Sequence, residues 1–407
     1  MNLKSSVRNL VKDTLVSTVF VSVGCLVSSA QAGSIFWTDP IGSNVPAPNT
    51  DLIKTANADG TGIQELVTGI HEPRGMDLDL QNGKMYWMDL GALSVRRANL
   101  DGTNIENLVA FDDGSSGITL DVAAGKMYWT HAASSHVVDG LIRKANLDGT
   151  QVETLVNLGP LLPLGIAVDT QNAKVYWTEV RDDKIQRANL DGSGVQDVVT
   201  GVRSAGIAVD SVGGSIYWID GLSMAIQRAN LDGSNVEDVV VGLDNPTNLD
   251  LDLNAGKIYW TDSGAFGKIN RIERANLADG SGREVVVSGV GFPWGIAVVP
   301  VQPGDYDGDN RVTVFDLNLV LHNWNVDGSA LFGPWFNERP PAGTVVGLEH
   351  LNAVLFNWGD TVSVATVPEP AAGTLSVWMF VLGLTPVVAS GRQSRAASCL
   401  ERLLYGW

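Results

Sequence analysis

KMYWMDLGALSVRRANLDGTNIENLV (residues 84–109) and KMYWTHAASSHVVDGLIRKANLDGTQVETLV (residues 126–156) are one sentence written twice with different middles. A repeat with a period of tens of residues decides the architecture before any single strand is considered. Three further copies follow: KVYWTEVRDDKIQRANLDGSGVQDVV (174–199), SIYWIDGLSMAIQRANLDGSNVEDVV (215–240) and KIYWTDSGAFGKINRIERANLADGSGREVVV (257–287). A looser copy opens with SIFWTDP (34–40) and continues through TANADGTGIQELV (55–67). The marker tryptophans are Trp37, Trp87, Trp129, Trp177, Trp218 and Trp260, spaced 50, 42, 48, 41 and 42 apart. The unit therefore occurs six times.

Each unit reads as four short strands. In the fourth copy, GIAVD (165–169) is an apolar run and VYWTE (175–179) is aromatic and β-branched, which suits a half-buried pleated surface. IQRANL (185–190) follows, Asp191-Gly192 supplies a turn, and VQDVV (195–199) closes the unit. No helical period is present. A four-stranded sheet of about 40–45 residues, repeated around an axis, is the blade of a propeller. The first copy lacks an inner strand before 35–39, and the last is followed by a spare one, GIAVV (295–299). The spare strand completes the first blade, so the ring closes without an exposed sheet edge.

Tyr-Trp-Thr-Asp on the second strand, followed by Arg-Ala-Asn-Leu-Asp-Gly, resembles the YWTD repeats of the low-density-lipoprotein receptor family over residues 34–300. Phe36 replaces Tyr, Met88 and Ile219 replace Thr, and His131 and Glu179 replace Asp. The resemblance implies a six-bladed ring in which the motif is architectural. A feature stamped into every blade cannot mark one active site. Asp39, Asp89, Asp220 and Asp262 are expected to pair with Arg97, Arg187, Arg228 and Arg274 between strands.

Comparing the copies with one another locates the variable face. The inner-strand Asp lies 8 residues before the Trp in all five measurable copies, as from Asp169 to Trp177. The third-strand Asn lies 6 before the start of the fourth strand in five copies, and Ala278 lengthens the sixth. Loops between second and third strands instead vary: 40–52, 90–94, 132–141, 180–184, 221–225 and 263–271. In an antiparallel blade these loops share one end with the blade-to-blade connections. Loops on a rigid scaffold are where binding concentrates. That end carries HEPR (71–74), FDDGSS (111–116), GVRS (201–204), LDNPT (243–247) and GFPW (291–294). Arg74, Phe111, Arg203, Phe292 and Trp294 are the anchor candidates for a protein or glycan partner; the alternative is that they plug the channel mouth.

Six-bladed rings also host lactonases and related hydrolases. An axial site here would draw on Glu72, Asp112, Asp113, Asp244 and Asn245, which occupy three of the six inner-strand approaches. No HExxH, nucleophile elbow or Cys–His pair accompanies them. The reading is therefore a binding protein and not an enzyme, with a propeller hydrolase or a purely structural envelope component as alternatives. The formal net charge of −18 speaks against a nucleic-acid partner. The two cysteines, Cys25 and Cys399, stand near the chain ends and provide no disulfide framework.

Both ends read as addresses. Lys4, Arg8 and Lys12 precede an apolar run (14–27) and the small residues Ala30 and Ala32, the pattern of a signal peptide covering 1–32. Cys25 suggests a lipoprotein alternative, but Ser22 stands where such signals carry Leu. At the other end, an uncharged stretch (371–391) closed by Arg392 and Arg395 is long enough for a transmembrane helix. Pro368-Glu369-Pro370, the span and the basic tail resemble the PEP-CTERM sorting signal of bacterial envelope proteins, within 361–407. That resemblance implies an exosortase-type sorting enzyme that removes the tail. A plain membrane anchor is the alternative, and residues 394–407 are longer than the usual basic end.

Between ring and tail, GDYDGDNRVTVFDLNLVLHNW (304–324) places Asp305, Asp307, Asp309 and Asp316 at loop positions 1, 3, 5 and 12, with the carbonyl of Arg311 at 7. Oxygen ligands so spaced wrap Ca²⁺. LNLVLHNW (317–324) recurs as LNAVLFNW (351–358), 34 residues on. Two loop–helix halves resemble a type I dockerin over 301–360, which implies a cohesin-like partner. The second half has RPPAG (339–343) where the first has its carboxylates, so one Ca²⁺ site is expected. The expected whole is an all-β six-bladed propeller over 33–300, closed by a C-terminal strand. A small α-helical calcium-loop module and a membrane segment follow it.

Overall fold

The computed structural model describes residues 33–40, 51–111, 114–132, 139–264 and 268–302, together with 312, 316–317, 319–320, 346, 350–351, 353–354 and 357. The signal peptide, the sorting segment and the calcium-loop residues Asp305, Asp307, Asp309 and Arg311 lie outside the described residues. No helix among the described residues is long and apolar enough to cross a membrane.

Six four-stranded antiparallel sheets are arranged as blades. The second blade is typical: Pro73–Asp79 innermost, then Lys84–Asp89, Ser94–Asn99 and Glu106–Ala110 at the rim. The first blade is assembled from both ends of the ring. Its inner strand is Ile296–Val298, pairing antiparallel with Ser34–Asp39 through Ile35 to Val298, Phe36 to Ala297 and Trp37 to Ile296. Closure by the spare strand is therefore observed, in a strand shorter than the run 295–299.

The core is six layers between blades rather than one central mass. Successive residues of a strand face opposite sides, so on each second strand the Tyr points into the next blade and the Trp into the previous one. Tyr86 packs with Trp129, Tyr128 with Trp177, Tyr176 with Trp218, Tyr217 with Trp260 and Tyr259 with Trp37. Phe36 and Trp87 form the sixth layer. The six second-strand tryptophans are fully buried. The indole nitrogens of Trp37, Trp129, Trp177, Trp218 and Trp260 find no hydrogen-bond partner, for which we have no physical account.

The third-strand arginines do not pair as the sequence suggested. Arg97 bridges Glu106 on its own rim strand at 2.7 Å and donates to the Leu147 carbonyl of the next blade at 3.0 Å. Arg187 reaches Leu231, Arg228 reaches Leu277, and Arg274 crosses the seam to Ala58 at 2.9 Å. They tie blade to blade. The second-strand carboxylates bind one position earlier, Asp39 to Lys54 at 2.9 Å and Asp89 to Arg96 at 2.8 Å, because neighbouring strand residues face opposite sides. Arg187 and Arg274 also meet the Tyr176 and Tyr259 hydroxyls. In the first blade, where Phe36 lacks the hydroxyl, Thr55 stands in place of Arg and bonds within its own blade to Ile35.

The Asp-Gly turn needs its glycine twice over. At Gly102 φ is +82°, and a Cβ there would lie 2.0 Å from the Leu66 carbonyl oxygen of the preceding blade. Gly60 meets Val286 across the seam in the same way. The Thr of the motif also joins blades: the Thr130 hydroxyl accepts from Gly117 at 2.9 Å and donates to the Leu164 carbonyl at 2.7 Å.

Beyond the ring, Val312, Val320, Val346, Leu351 and Val354 form a small separate core. Residues 316–317, 319–320, 350–351 and 353–354 are helical. Val312 and Val346, Leu317 and Leu351, and Val320 and Val354 are 34 residues apart, so equivalent positions of the two halves contribute to the same cluster.

Candidate binding face and axial channel

The ring has unlike faces. The lower one is made of near-identical turns, in which Asp101, Asp148, Asp191 and Asp232 each accept from a Thr or Ser two residues on. Those hydroxyls hold the four carboxyls below their ordinary range. Both ends of the ring leave from this face. Gly33 donates to the Val299 carbonyl at 3.0 Å, and the Val301 amide donates to Asp252 in the first turn of the sixth blade at 3.1 Å.

The upper face carries the loops of variable length. There the second-strand carboxylates fold the connections back on themselves: Glu179 accepts from the amides of Leu162, Arg181 and Asp182, and Asp262 from those of Asn245 and Gly264. These acids shape loops and are not free for chemistry.

The five anchor candidates do not converge. The Arg74 guanidinium lies over the Trp294 ring at 4.1 Å, and the Thr38 hydroxyl donates to the Arg74 carbonyl at 3.0 Å, so this pair lies beside the ring seam. Phe292, half exposed, is two residues away. Arg203 stands at the fifth blade, 55% exposed and 3.0 Å from Asp183. Phe111 is a correction: it is buried among Tyr86, Val95, Val109 and Trp129 and offers nothing to a partner. A loop aromatic beside a blade boundary gains more from the inter-blade core than from the surface.

The hydrolase candidates are likewise dispersed. Glu72 adopts φ +50° and lies 4.0 Å from Arg74. Asp244 is clasped by Lys268 and by Arg271 at 2.7 Å, which hold its carboxyl below the usual range. Asn245 donates its amide to Asp262, and Asp112 and Asp113 lie outside the described residues. Among the described residues no group of three or more His, Cys, Asp or Glu side chains is placed to hold a metal ion.

Sequence reasoning missed two carboxylates. Asp77 and Asp250, on the inner strands of the second and sixth blades, line an axial cavity of about 190 Å³ whose other walls include Ile118, Thr119, Ala167 and Ala208. Asp77 accepts from Leu78 at 2.7 Å and from Leu120 of the third blade at 2.8 Å. Asp250 accepts from Leu251 at 2.8 Å and from Val298 of the first blade at 2.7 Å. Enclosure by protein pushes Asp77 up to about 6. Enclosure, and then the charge of Asp77, push Asp250 up to about 7. The signal was present: GMDLD and NLDLD carry Asp where GIAVD carries Ala.

No protein-family model matches the sequence. Among solved structures, a chain of a nidogen/laminin complex is similar at 21% identity and TM-score 0.55, over 66% of this chain and 98% of that one. TolB from Acinetobacter baumannii is similar at 15% identity and TM-score 0.53, over 66% of this chain and 67% of that one. At these identities the likeness establishes the six-bladed fold.

Proposed function

We propose that this protein is an exported, non-enzymatic binding protein of the cell envelope or its surroundings, which holds a protein or glycan partner on the upper face of its ring. The observation that carries this reading is the polarity of the ring. Large variation in loop length falls on the upper face, the single inserted Ala278 being the exception below, while both ends of the ring leave from the lower face, so a stalk there presents the upper one outward. The nidogen relative comes from a complex with another protein, which supports a binding role. Replacing loop 40–52 by the short loop 180–184 should leave the melting temperature of the ring within a few degrees and weaken partner binding. Equal binding by the graft and its parent would count against this face.

The segment 301–360 belongs to the same reading as a calcium-stabilised spacer, with cohesin-type docking as the second use of such a module. Asp305, Asp307, Asp309, Asp316 and the Arg311 carbonyl would hold the ion, which would neutralise clustered carboxylates and anchor the first helix. Asp316 is fully buried where the helical residues 316–317 begin. By calorimetric titration the full chain should bind one Ca²⁺ at this module, and Asp305→Ala or Asp316→Ala should abolish it. Two ions would restore the complete dockerin reading; no heat would leave a solvated acidic turn. The exosortase-type signal at 361–407 would deliver the protein to the envelope, with the membrane segment retained or removed there.

A further inference from the structure

Outward apolar side chains are unevenly spread on the two faces. On the lower side and rim, Ile63, Ile105, Val152, Val195 and Val236 are exposed at equivalent positions of the first five blades, and Val212, Leu253 and Val285 are exposed singly in the fifth and sixth. On the upper face, Leu222, Met224, Val241, Ile269 and Phe292 are exposed by 55, 38, 62, 66 and 50% within a single sector. Hydrogen bonds join the loops of that sector. Leu243 donates to the Met224 carbonyl at 3.0 Å, Lys268 binds Asp244, and Gly289 donates to Asn270 at 3.0 Å. Phe292 then donates to Pro40 at 2.9 Å. Exposed apolar side chains gathered on joined loops mark an interaction surface more than scattered ones do.

Two ion pairs of this sector are unevenly exposed. Lys268 is 54% exposed while its partner Asp244 is 14% exposed, and Arg203 is 55% exposed against 35% for Asp183. In both pairs the cation is turned outward, on a chain whose net charge is −18. Glycan platforms use open aromatic faces, yet the Trp294 ring is covered by Arg74 at 4.1 Å. The remaining apolar groups are mostly aliphatic.

We propose that the sector formed by the fifth, sixth and first blades docks an acidic polypeptide segment of a partner protein through its aliphatic or aromatic side chains. Carboxylates of the segment would meet Lys268 and Arg203 while its apolar side chains cover Val241, Ile269 and Leu222. This rests on the assignment of the upper face as the binding face, and the experiment separates the two.

The full chain would be panned against a phage-displayed random peptide library, and the selected peptides measured by fluorescence anisotropy. Peptides combining Asp or Glu with Leu, Ile or Phe are expected. Val241→Asp and Ile269→Asp should weaken them at least about tenfold, and Lys268→Glu should weaken them with reduced salt dependence. Val212→Asp, at a lower-face residue 79% exposed, should change nothing. Selected peptides without acidic residues, or full binding by Val241→Asp and Ile269→Asp, would overturn the docking sector. If the loop 180–184 then proved necessary, the upper-face assignment would survive alone. If only Val212→Asp lost binding, both would fall. Binding on a glycan array unaffected by Ile269→Asp would also overturn the proposal in favour of a carbohydrate partner.

Discussion

A ring of residues 33–300 should unfold in one cooperative transition, and the same ring ending at residue 291 should show none. The truncation removes Ile296, Val298 and Val299, three buried aliphatics worth roughly 1.5–3 kcal/mol each. Ala297 and Val299 belong to the layer shared with the second blade, Ile296 and Val298 to the layer shared with the sixth. Both layers are opened at once. The bonds from Gly295 to the Thr38 hydroxyl at 2.7 Å and from Val299 to Ser34 at 2.8 Å go with them, and Ser34–Asp39 becomes a bare edge carrying Ile35 and Trp37. A loss of this size matches the whole stability of a typical domain, about 5–15 kcal/mol. Differential scanning calorimetry decides it. An unshifted cooperative peak for the shorter ring would show that the seam does not hold the circle closed.

That seam was legible because the repeat was. Six copies of a marker pair fix the number of blades, and a missing inner strand at one end of the ring with a spare one at the other has a single use. The second strand reads as half-buried, whereas Tyr and Trp put both of its faces in the core. What the linear pattern could not supply was which faces meet. Arg97 was matched to the second-strand aspartates, whereas its contacts are Glu106 on the rim and Leu147 in the next blade. Contacts between blades join residues about 50 apart, and nothing in one copy specifies its neighbour's orientation. Val195 shows the reverse error: it reads as the apolar start of a strand but stands outside one, 44% exposed, with the strand beginning at Gln196. Phe111 was misjudged because a loop position does not reveal on which side of a blade boundary a side chain falls. Asp77 and Asp250 were passed over because each sits in an otherwise apolar inner strand, where the eye takes the pattern from the majority.

Those two residues should make the ring lose stability as pH rises above the ordinary carboxylate range. An enclosed carboxyl with a folded-state value near 6 or 7, against an ordinary 3.8, binds its proton more tightly in the native state. Its contribution is therefore fully present below about pH 4 and is lost as pH rises through 6 to 7. Asp79 and Asp252, at the ends of the same strands, add repulsion of the same sign. The turn carboxyls held low, such as Asp101 and Asp191, act in the opposite direction, but only below the ordinary carboxylate range. The ring should thus be more stable at pH 5 than at pH 8 by on the order of a few kcal/mol, each pKa unit being worth about 1.4 kcal/mol before screening by channel water. Three of the six inner strands carry Ala at this position, Ala167, Ala208 and Ala297, so Asp77→Ala with Asp250→Ala fits the channel without a steric clash. The double variant loses acceptors for Leu120 and Val298, which lowers stability at pH 5. At pH 8 the same loss is offset by the removal of two enclosed charges. Urea titrations of both proteins across this range should show a falling stability for the parent and a nearly flat one for the variant. A parent whose stability rises from pH 5 to pH 8, or a variant that keeps the parental slope, would mean that the channel carboxylates are hydrated well enough to titrate as ordinary acids.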